Sequence, residues 1–168
     1  MDAFERAFCE TIDLEGEYVN DSDDPGGETN FGISKRSYPD VDIAALTVLQ
    51  AEEIYRRDYW DVLRLGEIRK ERISSEIFDT AVNMGRRTAI KIAQRALNFL
   101  GEDLVDDGII GPKTIEAINK WGAKDTRALF ICLNGFQFSQ YRMIIDSSRK
   151  LKKFARGWTK RIQQYRED

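Results

Sequence analysis

The sequence predicts a mainly α fold, with a short irregular β-hairpin near the N-terminus and a smaller helical lobe on the C-terminal side. Two observations carry this. Apolar residues recur at helical spacing in most segments, and turn-forming residues gather in one stretch, 16–33, which holds Gly16, Pro25, Gly26, Gly27 and Gly32. The length adds a bound. At 168 residues, 42% hydrophobic and 33% charged, the chain suits one globular domain or a main lobe with a smaller appended one.

The elements follow in order. Phe4, Phe8 and Ile12 form a stripe at i, i+4 and i+8, so the chain opens on a helix that runs into Leu14-Glu15-Gly16. The glycine-rich stretch then reads as a loop or small hairpin. Thr47-Val48-Leu49-Gln50 has the form of a capping box and opens a helix towards Tyr59. Ile73, Ile77, Phe78, Ala81 and Val82 predict a helix over 71–84 with Gly85 as its stop. Thr88 is placed to cap a helix over 89–100 ended by Gly101. Asp103 to Gly111 reads as a loop. Pro112 starts a helix that Gly122 closes, and Asp125 caps a long apolar helix to about Ile145. A last amphipathic helix is expected over 151–165. The boundary between the two lobes is expected at 87/88, giving residues 1–87 and 88–168.

Composition removes several chemistries. There is no histidine, which excludes Ser-His-Asp, Cys-His and His-based zinc sites. The two cysteines, Cys9 and Cys132, sit among apolar neighbours and read as buried free thiols. No segment reaches the roughly 18 apolar residues that cross a bilayer. The N-terminus carries acids throughout and lacks the basic start and apolar run of a signal peptide. The expectation is synthesis in the cytoplasm. Charge is uneven: residues 1–28 hold ten acids against Arg6 alone, whereas 149–166 hold eight bases and no acid. The plain reading is two solvated faces that attract each other. The sharper one is an acidic cleft plus a basic patch for an anionic polymer.

Catalysis therefore falls to carboxylates, hydroxyls and amides. They concentrate between Leu14 and Ser34. Glu15 comes at a helix end, Asp24 follows nine residues later, and Thr29 follows a Pro-Gly-Gly turn. A tight turn would bring two carboxyls and a hydroxyl around one cleft. Glycoside hydrolysis uses such a set: one protonated carboxyl gives its proton to the leaving oxygen, and the other groups hold water. Burial among aromatics would raise the acid's pKa as that role requires. The alternative reading is a solvated acidic turn. A calcium loop fits poorly, because Pro25 and Gly32 would take positions 5 and 12, where ligands are needed. No metal or organic cofactor is expected.

The same residues resemble a known family. Glu15-Gly-Glu-Tyr18, Asp21, Asp24-Pro-Gly-Gly-Glu-Thr29 and Phe31-Gly-Ile-Ser34 are similar to the signature of glycoside hydrolase family 108, N-acetylmuramidases often of phage origin and related to proteins once described as secretion activators. The resemblance implies a lysozyme-like fold with Glu15 as the catalytic acid and Tyr18 at the sugar. The spacing is also similar to phage-type lysozymes, with one residue fewer before Thr29. That shift leaves Asp23 and Asp24 both open as the second carboxylate. Glu17 stands where the family commonly has glycine, which adds a carboxylate beside Glu15. Phe78-Asp-Thr-Ala-Val-Asn-Met-Gly85 resembles the family's second block and implies that Asn83 lines the cleft; read alone, Asn83 is a helix C-terminal residue. Residues 88–166 resemble the family's predicted peptidoglycan-binding domain, through Asp107-Gly-Ile-Ile-Gly111, Thr114, Ala117, Phe154, Gly157-Trp158 and Arg161. Trp60, Trp121 and Trp158 could stack on sugars, but tryptophan in a helical protein is more often core.

The expected activity is hydrolysis of the β-1,4 bond between N-acetylmuramic acid and N-acetylglucosamine in peptidoglycan, with inversion, by a monomer that binds no nucleic acid. Action would be in the periplasm or cell wall after release or export, as for an endolysin of a bacteriophage. Two rivals remain at this point: a non-catalytic peptidoglycan-binding module, and a secretion-accessory protein that keeps the fold.

Overall fold

A computed structural model describes residues 1–12, 18, 27–147, 149–163 and 165. It is mainly helical, with one two-stranded antiparallel sheet, and its architecture is lysozyme-like. Helix α1 spans Ala3–Ile12 and buries Phe4, Ala7, Phe8 and Thr11. Arg6 pairs with Glu71 at 2.6 Å and Asp2 with Arg56 at 2.9 Å, which fastens this helix at its start. Strands β1 (Thr29–Asn30) and β2 (Ile33–Ser34) pair as Thr29↔Ser34 and Asn30↔Ile33. The two residues between them, Phe31 and Gly32, both take positive φ, 51° and 73°. That is the primed turn whose twist matches a hairpin, and glycine tolerates it freely while phenylalanine does not. Phe31 is held there because the Tyr55 hydroxyl donates to its carbonyl at 2.9 Å.

Helix α2 (Val48–Tyr55) begins with the expected capping box: the Gln50 N–H donates to Thr47 Oγ1, and the Thr47 N–H donates to Gln50 Oε1. It passes directly into a π-helical turn, Arg56–Asp61, and a 3₁₀ turn, Leu65–Glu67. Helix α3 (Glu71–Met84) follows, then α4 (Arg86–Phe99), α5 (Pro112–Ser147), a 3₁₀ segment Arg149–Phe154 and α6 (Ala155–Thr159). Among the described residues no helix is long and apolar enough to cross a membrane.

Four expectations change. Helix α4 starts at Arg86, not after Thr88, because the Ala89 N–H already bonds the Gly85 carbonyl. Only Gly85 separates α3 from α4, so residues 87 and 88 lie in the first turn of α4. Gly122 does not close a helix. It is buried inside α5, where a Cβ would lie 3.1 Å from Lys70 Cγ, so glycine serves close approach there. The break comes at Asp125 (φ −160°, ψ 85°), whose carboxylate accepts from the Ala128 N–H at 2.8 Å as the sequence suggested. The last helix is shorter than 151–165, a 3₁₀ segment and five α-helical residues. Finally, Cys9 is exposed and Cys132 half-buried, both free. Apolar sequence neighbours do not bury a residue on a helix; its angular position does.

One buried cluster runs through the described chain, from Phe4 and Phe8 through Ile33, Trp60 and Phe78 to Ile90, Leu97, Ile118 and Leu129. Its centre is Phe78, fully buried, with ring centroids of Phe4, Tyr55, Tyr59 and Trp60 at 5.8–6.5 Å.

Candidate active site

Three predicted site residues are described. Tyr18 is 45% exposed, and its hydroxyl donates to Glu28 Oε1 at 2.8 Å. Glu28 immediately precedes β1, so this bond ties Tyr18 to the base of the hairpin. Thr29 opens β1. It is half-buried, and its hydroxyl donates to the Gly27 carbonyl at 3.3 Å. The hairpin that carries it is fastened to the body by buried Asn30, whose Nδ2 donates to the Ile43 carbonyl at 3.1 Å. Asn83 belongs to another element, half-buried on the last turn of α3, where its Oδ1 accepts a 2.8 Å hydrogen bond from Tyr141. Glu15 and Asp24, with Glu17, Asp21 and Asp23, lie outside the described residues.

A cavity of about 320 Å³ opens beside the hairpin, lined by Gly32, Tyr38, Tyr55, Asp58, Tyr59 and Arg86 among others. The π-helical turn puts Asp58 and Tyr59 at its wall; such turns recur at functional sites. The carboxylate of Asp58 is held below its usual pKa, chiefly by the 2.7 Å pair with Arg57 and also by the Tyr38 hydroxyl at 2.8 Å. The Tyr38 hydroxyl is correspondingly hard to ionise, first because it is buried and then because it faces Asp58. Arg86 donates to the Asp58 carbonyl at 2.9 Å. The cavity is thus a polar, aromatic-walled hollow of a kind suited to sugar hydroxyls.

The largest feature that the sequence reading missed lies between α3 and the second half of α5. Arg72 sits over the Phe130 ring at 5.2 Å, Glu76 faces Asn134, and Asn83 meets Tyr141. Each pair is separated by 58 residues, so the helices run parallel in register (130−72, 134−76 and 141−83). Asp79 lies on the same row and pairs with Arg161 of the C-terminal segment at 2.6 Å, the two side chains 4% and 8% exposed. Glu76 is 2% exposed, and neither carboxyl oxygen has a hydrogen bond among the described residues. Burial first, and then the Asp79 charge, pushes its pKa up to about 8, against smaller opposing effects of Asn134 and Arg72. Its proton is therefore retained at neutral pH. The signal was present in the spacing 72, 76, 79, 83, a polar row beside the apolar stripe of Ile73, Ile77 and Ala81.

The tryptophans divide. Trp60 is core. Trp121 is half-buried and donates to Glu102 at 2.7 Å. Trp158 lies between Tyr141 and Phe154, with centroids at 5.2 and 5.9 Å and rings tilted by 19° in both contacts. The Asp107–Gly111 turn is organised from within: buried Gln94 donates to Asp107 Oδ1 at 2.8 Å and accepts from the Gly108 N–H at 2.9 Å. No ligand is needed to explain that motif. Among the described residues, no group of three or more Asp, Glu or Cys side chains is arranged to hold a metal ion.

Residues 8–85 match the model of glycosyl hydrolase 108, and residues 88–163 match that of a predicted peptidoglycan domain. Among solved structures the chain is similar to Brucella abortus SagA, at 28% identity and a TM-score of 0.74, covering 95% of this chain and 88% of that one. The two matched regions together take in the second half of α1, the hairpin, the polar row of α3 and the α5 helix that faces it. The chain thus joins a region similar to glycosyl hydrolase 108, residues 8–85, to a predicted peptidoglycan domain, and is a glycoside hydrolase directed at peptidoglycan.

Proposed function

We propose that the chain is an inverting N-acetylmuramidase that cuts the β-1,4 bond between N-acetylmuramic acid and N-acetylglucosamine. The observation that carries this reading is the Tyr18–Glu28 hydrogen bond, which brings Tyr18 to the foot of the hairpin. In the chain, Glu15 lies three residues before one end of that bond and Thr29 one residue after the other, with Asp24 between. The scheme assigns all three to one cleft.

In this scheme Glu15 protonates the glycosidic oxygen as the C1–O bond breaks. A water held by Thr29 attacks C1 from the opposite face and gives its proton to Asp24, or to Asp23 one residue earlier. Glu15 is left as a carboxylate and regains its proton from solvent. Inversion requires room for that water, with the two carboxyls roughly 6.5–9.5 Å apart. Tyr18 and Asn83 orient the sugar. Residues 1–87 supply the chemistry, and residues 88–168 help to hold the glycan strand. The enzyme acts as a monomer on the wall outside the cytoplasmic membrane. No metal enters the scheme, so EDTA leaves the rate unchanged.

Glu15→Gln tests it. The amide keeps the shape but has no acidic proton to give. Release of reducing ends from purified peptidoglycan falls by about 10²–10⁴-fold or more, with an unchanged circular dichroism spectrum. Activity within tenfold of wild type contradicts the assignment.

A further inference from the structure

We propose that Tyr141 is a positioning residue that locks the Asn83 carboxamide with its NH₂ group facing outward, so that Asn83 reads the acetamido carbonyl of an N-acetylated sugar. This rests on the muramidase reading above and specifies what one residue of that site recognises.

The locking follows from the order of donors and acceptors. Gln137, fully buried, donates from Nε2 to the Tyr141 oxygen in a long contact of 3.4 Å, and its Oε1 has no hydrogen bond among the described residues. Tyr141 is itself 2% exposed, and its own proton goes to Asn83 Oδ1 at 2.8 Å. A carboxamide whose oxygen is taken in this way has only its two N–H groups left to offer. Among the described residues nothing accepts from Asn83 Nδ2, and Asn83 is the one member of the chain that reaches solvent. Stacking on Trp158 at 5.2 Å fixes the Tyr141 ring, and the Asp79–Arg161 pair one turn earlier on α3 fixes the helix.

A fixed donor is useful only against a partner of fixed polarity. A sugar hydroxyl can donate or accept, so a free amide would serve it equally well in either orientation. The acetamido carbonyl oxygen only accepts. Each sugar of a peptidoglycan repeat carries one, whereas a de-N-acetylated sugar carries an ammonium that only donates. Facing the locked NH₂, that ammonium is rejected. The residue that sets this preference comes from the peptidoglycan-domain half of the chain and acts through one in the hydrolase half.

The test compares kcat/KM on intact peptidoglycan and on the same peptidoglycan chemically de-N-acetylated, for wild type, Tyr141→Phe, Asn83→Ala and the double variant. Tyr141→Phe keeps the ring and removes only the hydroxyl. Each single variant lowers the acetylated-to-deacetylated ratio by about 3- to 10-fold, the worth of one hydrogen bond. The double variant lowers it no further, because Tyr141 acts through Asn83. Equal losses on both substrates would mean that Tyr141 is merely structural and would overturn the proposal. So would an unchanged ratio, or a further fall in the double variant. Asn83→Asp gives a second reading should Tyr141→Phe fail to fold: it keeps an acceptor for Tyr141, has no N–H and attracts the ammonium, so its ratio falls at least as far as that of Asn83→Ala, and an unchanged ratio overturns the proposal. A wild-type chain that cuts neither glycan overturns the muramidase reading, and this one with it.

Discussion

The two faces of α3 are built by opposite means. One presents Ile73, Ile77, Phe78 and Ala81 to an aromatic cluster of Phe4, Tyr55, Tyr59 and Trp60. The other presents Arg72, Glu76, Asp79 and Asn83 to α5 and the C-terminal segment. The apolar face needs only volume and shape, and tolerates exchange among hydrophobic side chains of similar size. The polar face depends on its Asp79–Arg161 pair, because a buried charge that loses its counter-ion has no water to replace it. A helix that must only fold would bury two apolar faces. Giving one face to polar groups fits the proposal that the end of the row, Asn83, is held in one orientation.

The comparison can be broken from either side. Phe78→Ala empties the centre of the aromatic face and costs about 3–5 kcal/mol in stability by denaturant unfolding. Arg161→Ala leaves Asp79 buried without its ion partner and costs a similar amount, about 3–5 kcal/mol. The difference lies in repair. Adding Asp79→Leu, with Arg161→Met in place of the alanine, returns most of that loss, because an apolar pair of similar volume replaces a desolvated ion pair. No second substitution beside Phe78→Ala refills the cavity so simply. If the Leu/Met pair is as unstable as Arg161→Ala, the polar face is not an ion-pair device.

A smaller effect separates the faces by pH. The folded pKa of Glu76 is about 8, above its ordinary 4.5. Below about pH 4.5 both folded and unfolded chains keep the proton, and Glu76 costs nothing. Between about 4.5 and 8 the unfolded chain releases it while the folded chain does not, so stability falls as pH rises through that window, by a few kcal/mol at most. Glu76→Gln removes this slope. The variant is more stable than wild type at pH 8 and loses the advantage at pH 4, as thermal melts at both values would read. A Glu76→Gln chain with the wild-type pH slope would locate the titration elsewhere.

Much of this was legible in the sequence. The capping box at Thr47, the helix over 71–84, Pro112 as a helix start and Asp125 as a cap are local signals that do not depend on distant packing. Glycines were legible less well: Gly85 does end α3, but Gly122 serves close approach to Lys70, which no local pattern reveals. Of the candidate site, Tyr18 is exposed and Thr29 and Asn83 are half-buried. What stayed hidden was the partnership between α3 and α5. Residues 58 apart in the chain meet only after α4 and the loop before α5 have been laid down, and neither helix taken alone announces the register. Even so, four polar residues spaced on one stripe of a helix with buried apolar sides were a visible sign that something polar had to face them.

The central claim is muramidase cleavage with Glu15 as the acid. Its most direct test is the identity of the new reducing end. Purified peptidoglycan is digested, the products are reduced with borohydride, and the reduced sugar is identified by mass spectrometry, with NMR following the first-formed anomer. The account predicts muramitol from wild type, an initial α-anomer, and neither from Glu15→Gln. Reduced glucosamine, products with no reducible end, or muramitol released undiminished by Glu15→Gln would contradict it.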